Sequence, residues 1–172
     1  MTHEYGFGHC EPWWDDQFKN LNYIYYPLKN TWDVENWKRN GYMSVILNGG
    51  LYNMSQPMPS YADPFFNLFD WNNVGIGFYC MKTCELLPLH SDHYLEYTKR
   101  FDLSKSDDVY RAVVFLEDWK SGHYFEIAGK GFVNWSRGDY VWWRNGVPHF
   151  AGNIGTEPRY TMQITGTKYE KD

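Results

Sequence analysis

The residues best suited to chemistry are His90 and Asp92, in Leu89-His90-Ser91-Asp92-His93, and His149, in Val147-Pro148-His149-Phe150. Side chains of an extended strand alternate faces, so His90 and Asp92 of a strand present an imidazole and a carboxylate on one side. Ser91 and His93 then face the other way. Two imidazoles and a carboxylate occupy half an octahedron and leave the other half open, a donor set suited to Fe(II) with exchangeable ligands. An H-x-D triplet also arises by chance in ordinary surface strands, so the weight falls on the residues after His149.

Downstream of His149 lies the run Arg159-Tyr160-Thr161-Met162-Gln163-Ile164-Thr165. Alternation places Tyr160, Met162 and Ile164 on one face and Arg159, Thr161, Gln163 and Thr165 on the other. The polar face either meets water or lines an interior that holds a charged small molecule. An inward Arg159 demands an anion, because a buried unpaired guanidinium is costly. A planar guanidinium grips a carboxylate through two parallel hydrogen bonds, and the nearby Thr161 hydroxyl can add a third. Arg111, in Tyr110-Arg111-Ala112-Val113, is a competing anchor on another strand.

His90-x-Asp92, then His149, Arg159 and Thr161, resembles the Fe(II)/2-oxoglutarate-dependent dioxygenases. The run from Gly138 to Asn153 resembles the second motif of the wider cupin superfamily, with Gly138, Gly146, His149 and Asn153 at matching intervals and Arg144 where that motif has Pro. The resemblance covers residues 74–167. Within it, Gly-Asp-Tyr-x-Trp-Trp before the distal His resembles the aspartyl/asparaginyl β-hydroxylase-like branch, from whose usual two-His pattern Asp92 departs. The resemblance implies Fe(II) on His90, Asp92 and His149, with 2-oxoglutarate anchored by Arg159 and Thr161. It implies O₂-dependent hydroxylation of a C–H bond, with release of succinate and CO₂. The substrate would be a small molecule or peptide, an amino-acid side chain foremost. The alternative is a cupin-type metal-binding protein or isomerase that does not use 2-oxoglutarate.

The elements that must position these residues are strands. The chain has 172 residues, 20% of them aromatic, with 15 Gly and 8 Pro as punctuation. That composition favours a mainly β single domain over residues 1–172. From Val74 the pattern predicts strands at 74–85, 88–95, 110–118, 122–128, 130–135, 139–144, 148–154 and 159–167. Eight short strands suit a double-stranded β-helix (a jelly roll, cupin-like) over 73–168 with a few short flanking helices. Residues 1–72 are expected to flank this core. They offer strand or apolar wall material at Trp13-Trp14 and Tyr23–Pro27, and a helix from Trp32 capped by Thr31 and stopped near Gly41. They also hold a long loop over 48–64, and segment 96–109 reads as a polar excursion.

Net charge is −5 and the 16 basic residues form no dense run, which argues against a nucleic-acid partner. No apolar segment is long enough for a membrane span, and no signal peptide is evident. Three cysteines read as free thiols in a reducing, cytoplasmic compartment. Cys80 and Cys84 are expected to share a strand face and pack in the core. His93 is expected to face away from the metal, and His123 to serve at the surface or behind the ligands. Trp135, Trp142 and Trp143 are expected to pack the core or rim or to wall a pocket. His3 and His9 are placed in a mobile terminus.

Overall fold

A computed structural model describes residues 4–29, 31–103 and 109–168. Among the described residues ten strands are present: β1 Tyr5–His9, β2 Gly50–Asn53, β3 Asn72–Met81, β4 Leu86–His90, β5 Val109–Phe115, β6 His123–Ile127, β7 Lys130–Phe132, β8 Asp139–Arg144, β9 His149–Asn153 and β10 Arg159–Thr167. Helices α1 Trp32–Arg39 and α2 Leu95–Arg100 and the 3-10 turns Asp16–Asn20 and Ser60–Asn67 flank them. Every strand pairing is antiparallel. The order is β1-β8-β5-β10-β3-β2 in the larger sheet and β4-β9-β6-β7 in the smaller. These two facing sheets are a double-stranded β-helix.

Alternation divides the core in two. Tyr79, Met81, Val113, Phe115, Val141 and Trp143 of the larger sheet point inward and meet Phe125, Ile127 and Ala151 of the smaller one. Their neighbours Ile76, Phe78, Ala112, Val114, Met162 and Ile164 point outward, where Trp14, Phe18, Ala62 and Phe65 cover them. The larger sheet is therefore buried on both faces. Each fully buried aliphatic or aromatic side chain contributes about 1.5–3 kcal/mol by area, so the N-terminal residues are part of the stabilising core.

Several expectations need correction. His9 is no part of a mobile terminus: it ends β1, an edge strand, and its Nδ1 lies 2.8 Å from Asp139 Oδ1. The span 48–64 contains β2, which pairs with β3 from Gly50↔Cys80 to Asn53↔Gly77. Tyr23–Pro27 is not a strand beyond one bridge, Ile24↔Leu51. The strand expected at 88–95 is β4, which stops at His90, and α2 occupies part of 96–109. Residues 104–108 of that excursion, and His3, lie outside the described residues. Cys84 is not in the core: it is exposed in a turn at φ 68°, while Cys80 is buried, and all three cysteines are free thiols. Among the described residues no helix is long and apolar enough to cross a membrane.

Helix α1 forms as its sequence dictates. Thr31 accepts from the Val34 N–H at 3.3 Å, Asp33 and Glu35 sit in the first turn, and Lys38 and Arg39 in the last. Its buried face, Val34 and Trp37, packs against Leu47, Leu28 and Leu86 beside β4. That places an aromatic wall behind His90.

Candidate metal centre

His90 ends β4 and His149 begins β9, directly opposite each other. The pairing shifts by one residue between Leu87 and His90, leaving Pro88 and Leu89 opposite Phe150 alone. Pro88 has no N–H to give the ladder, which suits a bulge. The extra residue lets Leu87 and His90 both line the same internal cavity, although strict alternation would separate them.

Asp92 comes to the site by a different route from the one expected. It lies past the end of β4, where the chain turns before Tyr94 at φ 51° and enters α2. Asp92 Oδ1 is 4.0 Å from His90 Nε2, and Oδ2 is 3.6 Å from His149 Nε2. One donor atom from each of the three residues falls within 4.8 Å of the others, so the trio could hold one metal ion. Among the described residues it is the one such cluster.

The imidazoles are oriented for the task. His90 Nδ1 lies 2.7 Å from the Pro88 carbonyl and His149 Nδ1 lies 3.1 Å from the Val147 carbonyl. A carbonyl only accepts, so each Nδ1 carries the proton and each Nε2 lone pair faces Asp92. Trp37 meets His90 edge-on with ring centroids 5.6 Å apart and donates from Nε1 to the Leu89 carbonyl at 3.3 Å. Trp143 packs on His149 at 4.6 Å.

Burial pushes the His149 imidazolium down to about 4, with Asp92 opposing, so the ring is neutral at pH 7. Burial alone would raise Asp92, but the charges of Arg111, His149 and His90 prevail and hold it at about 2. Neutral imidazole and ionised carboxylate are the ligand forms a cation needs. Asp92 Oδ2 is buried and faces the cluster; it accepts no hydrogen bond and is held by the ion pair with Arg111 Nη1 at 3.4 Å.

Arg159 and Thr161 are 4% and 1% exposed, and both line the cavity that carries His90, Asp92 and His149. Their face of β10 is thus the inward one, lying between β5 and β3. Arg159 donates from Nη1 to the Tyr124 carbonyl at 3.0 Å, and its Nε is buried and unsatisfied. Burial lowers its pKa to about 10. It has no carboxylate partner among the described residues. Arg111 shares the cavity but is already engaged, 3.4 Å from Asp92 Oδ2 and over the Tyr94 ring at 5.0 Å.

His93 lies outside the cluster, exposed and 3.1 Å from Asp33 Oδ2. His123 is not at the surface: it is 2% exposed, and its Nε2 donates to the Glu157 carbonyl at 2.9 Å. With Asn153, which donates to the Met81 and Glu157 carbonyls at 2.8 Å each, it pins the turn that delivers Arg159. Trp143 walls the cavity, Trp135 packs the core, and Trp142 is half-buried on the outer face of the larger sheet. Gln163, Leu87 and Phe125 also line the cavity. The alternation that singled out Arg159 and Thr161 already placed Gln163 on this face.

No family model and no curated protein matches the chain. Solved structures do match. A prolyl-4-hydroxylase from Pseudomonas putida aligns at a TM-score of 0.62 with 14% identity, over 98% of this chain and 94% of that one. The plu4264 protein of Photorhabdus luminescens aligns at 0.45 with 11% identity, over 70% and 77%. The Cnp3 cupin domain of Schizosaccharomyces pombe aligns at 0.44 with 12% identity, over 70% and 61%. At such identities the likeness is one of fold. The chain is a double-stranded β-helix protein with a His-Asp-His cluster between its sheets.

Proposed function

We propose that this protein is an Fe(II)- and 2-oxoglutarate-dependent dioxygenase that hydroxylates a C–H bond of an amino-acid or peptidyl side chain. One observation carries the reading: the cavity with the His-Asp-His donors also holds Arg159, a buried guanidinium without a carboxylate partner among the described residues. A buried cation with a free N–H is costly unless an anion joins it. The prolyl-4-hydroxylase likeness is consistent with this chemistry, and the aspartyl/asparaginyl β-hydroxylase-like branch stays with it as a proposal. Three free thiols suit a reducing, cytoplasmic setting.

Fe(II) with 2-oxoglutarate and O₂ supplies C–H hydroxylation, releasing succinate and CO₂. The chain's own residues do the rest. His90, Asp92 and His149 would hold the metal, the two Nε2 atoms aimed by the Pro88 and Val147 carbonyls. Arg159 would bind the distal carboxylate through paired N–H groups, with the Thr161 hydroxyl beside it. Phe125, Trp143 and Leu87 keep the surroundings apolar and exclude water.

A second reading, a cupin-type metal protein that does not use 2-oxoglutarate, is favoured by the size of the cavity. It measures about 60 Å³, well below the roughly 300–1,000 Å³ of a small-molecule site. The oxygenase reading therefore requires side chains at its wall to move.

Succinate formation with Fe(II) and 2-oxoglutarate, across a panel of amino acids and peptides, tests the proposal. Arg159→Leu should cost about 2–5 kcal/mol of 2-oxoglutarate affinity, with Arg159→Lys intermediate because it keeps the charge and loses the fork. Thr161→Val should cost about 1 kcal/mol. All three should still bind metal. If Arg111→Leu lost 2-oxoglutarate dependence and Arg159→Leu kept it, the anchor would be on β5. If the wild type neither bound nor consumed 2-oxoglutarate, the second reading would stand.

A further inference from the structure

A second and larger space, about 510 Å³, adjoins the metal cavity. Two side chains, Arg111 and Gln163, line both spaces and so form the partition between them. The inward face of β10 runs through it as a polar row. Arg159 and Thr161 lie on the inner side, Gln163 at the partition and Thr165 on the outer side. The outer space is bounded by β2, β3, α2, β5 and β10, and its size is that of a small-molecule site.

Two features suggest what it takes. The first is its floor. Gly75 and Gly77 share the inward face of β3, and neither has the positive φ that would itself explain a glycine. A Cβ built on Gly75 would have as its nearest neighbours Met54 Sδ at 3.9 Å and Tyr97 Cε2 at 4.0 Å, both on the pocket wall. The glycine leaves volume that a side chain would fill without a clash. The second feature is charge. Arg111 and Arg100 both line the space, and the one acid among the described lining residues, Glu96, is taken by Lys29 at 2.6 Å. Arg100 has no ion pair among the described residues, and Arg111 keeps a buried Nε without a partner. Neutral donors and acceptors (Asn53, Ser55, Gln163) and the rings of Tyr97 and Phe101 complete the wall.

We infer that this outer space is the substrate pocket, and that it binds an organic acid of amino-acid to dipeptide size whose carboxylate is held by Arg111 at the partition. Arg111 now pairs with Asp92, whose charge a divalent cation would share, releasing the guanidinium toward the outer space. The same movement relieves the tightness of the inner cavity. The carboxylate on Arg111 and the 2-oxoglutarate on Arg159 would then lie on opposite sides of Gln163. The inference rests on the oxygenase reading for the word substrate, while the pocket and its ligand class stand on their own geometry.

The test uses the full chain loaded with redox-inert Zn(II) and followed by amide ¹⁵N resonances. N-acetyl-phenylalanine and N-acetyl-leucine are titrated beside their uncharged methyl esters, and 2-oxoglutarate is titrated separately. The acids should shift Gly75, Gly77 and Thr165 saturably, with the esters at least about tenfold weaker, the loss of one charged hydrogen-bonded contact. Gly75→Leu should abolish acid binding and keep Zn(II) and 2-oxoglutarate binding. Arg111→Gln should weaken the acids by a similar factor, and Arg111→Lys should restore part of it. Equal binding of acids and esters would overturn the inference. So would acid shifts confined to Thr161 and Ala151, retained binding in Gly75→Leu, or no binding of either acid at millimolar concentration. Acid binding at the outer set without any 2-oxoglutarate response would keep the pocket and sink the oxygenase reading; the reverse pattern would do the opposite.

Discussion

The two histidines of the cluster owe their readiness to backbone carbonyls two residues before each of them. Pro88 O and Val147 O each accept from the respective Nδ1, so both rings turn an Nε2 lone pair to the cluster, the tautomer a metal ligand would need. His93, three residues from His90, has none of this and spends its ring on Asp33 at the surface. Isothermal titration with Mn(II) should therefore separate them. His90→Ala, Asp92→Ala and His149→Ala should each weaken binding by more than roughly 100-fold, beyond the range that changes behind the ligands produce. His93→Ala should change it by a few-fold at most, since an exposed pair is worth about 0–1 kcal/mol. A His93→Ala variant as damaged as His90→Ala would mean that the turn after β4 brings His93 to the cluster.

At the scale of elements, the site depends on α1 although no residue of α1 is a candidate ligand. Trp37 fills the space behind His90 at 7% exposure and ties itself to the Leu89 carbonyl. Trp37→Ala should cost about 3–5 kcal/mol of stability and roughly tenfold in metal affinity, as loss of a ligand's orienting partner does. Trp37→Phe should recover most of the stability and part of the affinity. Urea denaturation and Mn(II) titration read the two effects separately. Unchanged metal affinity in a folded Trp37→Ala protein would show that the Pro88 carbonyl alone sets the ring.

For the whole molecule, the N-terminal residues act as the outer layer of a sheet that needs cover on both faces. Trp14 is 4% exposed and donates from Nε1 to the Leu116 carbonyl at 2.9 Å, and Phe18 is fully buried against Tyr160. Trp14→Ala or Phe18→Ala should lower unfolding free energy by about 3–5 kcal/mol, a large share of the ~5–15 kcal/mol typical of a domain. Metal affinity of the folded fraction should not change, because the inward face of β5 and β10 is made by other residues. A loss of less than about 1 kcal/mol in chemical denaturation would mean that this layer is dispensable.

Much of this could be read in the chain. Period-two alternation gives β8 and β10 at 139–144 and 159–167, the bounds they have in the structure, because the two faces of each pack against different layers and a slip of one residue would exchange them. The same alternation put Arg159, Thr161, Gln163 and Thr165 together, and cap chemistry marked α1. β1 is not legible in the chain because Tyr5-Gly6-Phe7-Gly8-His9 lacks β-branched residues. Its glycines belong there because a Cβ on Gly6 would lie 2.7 Å from Trp142 Nε1, a fact of the partner strand. β2 is not legible within the polar stretch 48–64 because its pairing with β3 is non-local. Most telling is Asp92: sequence spacing put it beside His90 by strand alternation, whereas the chain leaves the strand and turns it back toward the cluster. Local preference settles which face of a regular strand a residue occupies. Where a chain reverses, and which cation meets which anion across two sheets, depends on contacts between residues far apart in sequence. The Arg111–Asp92 pair and the glycine-floored pocket beside it exist only once β3, β5 and β10 lie side by side.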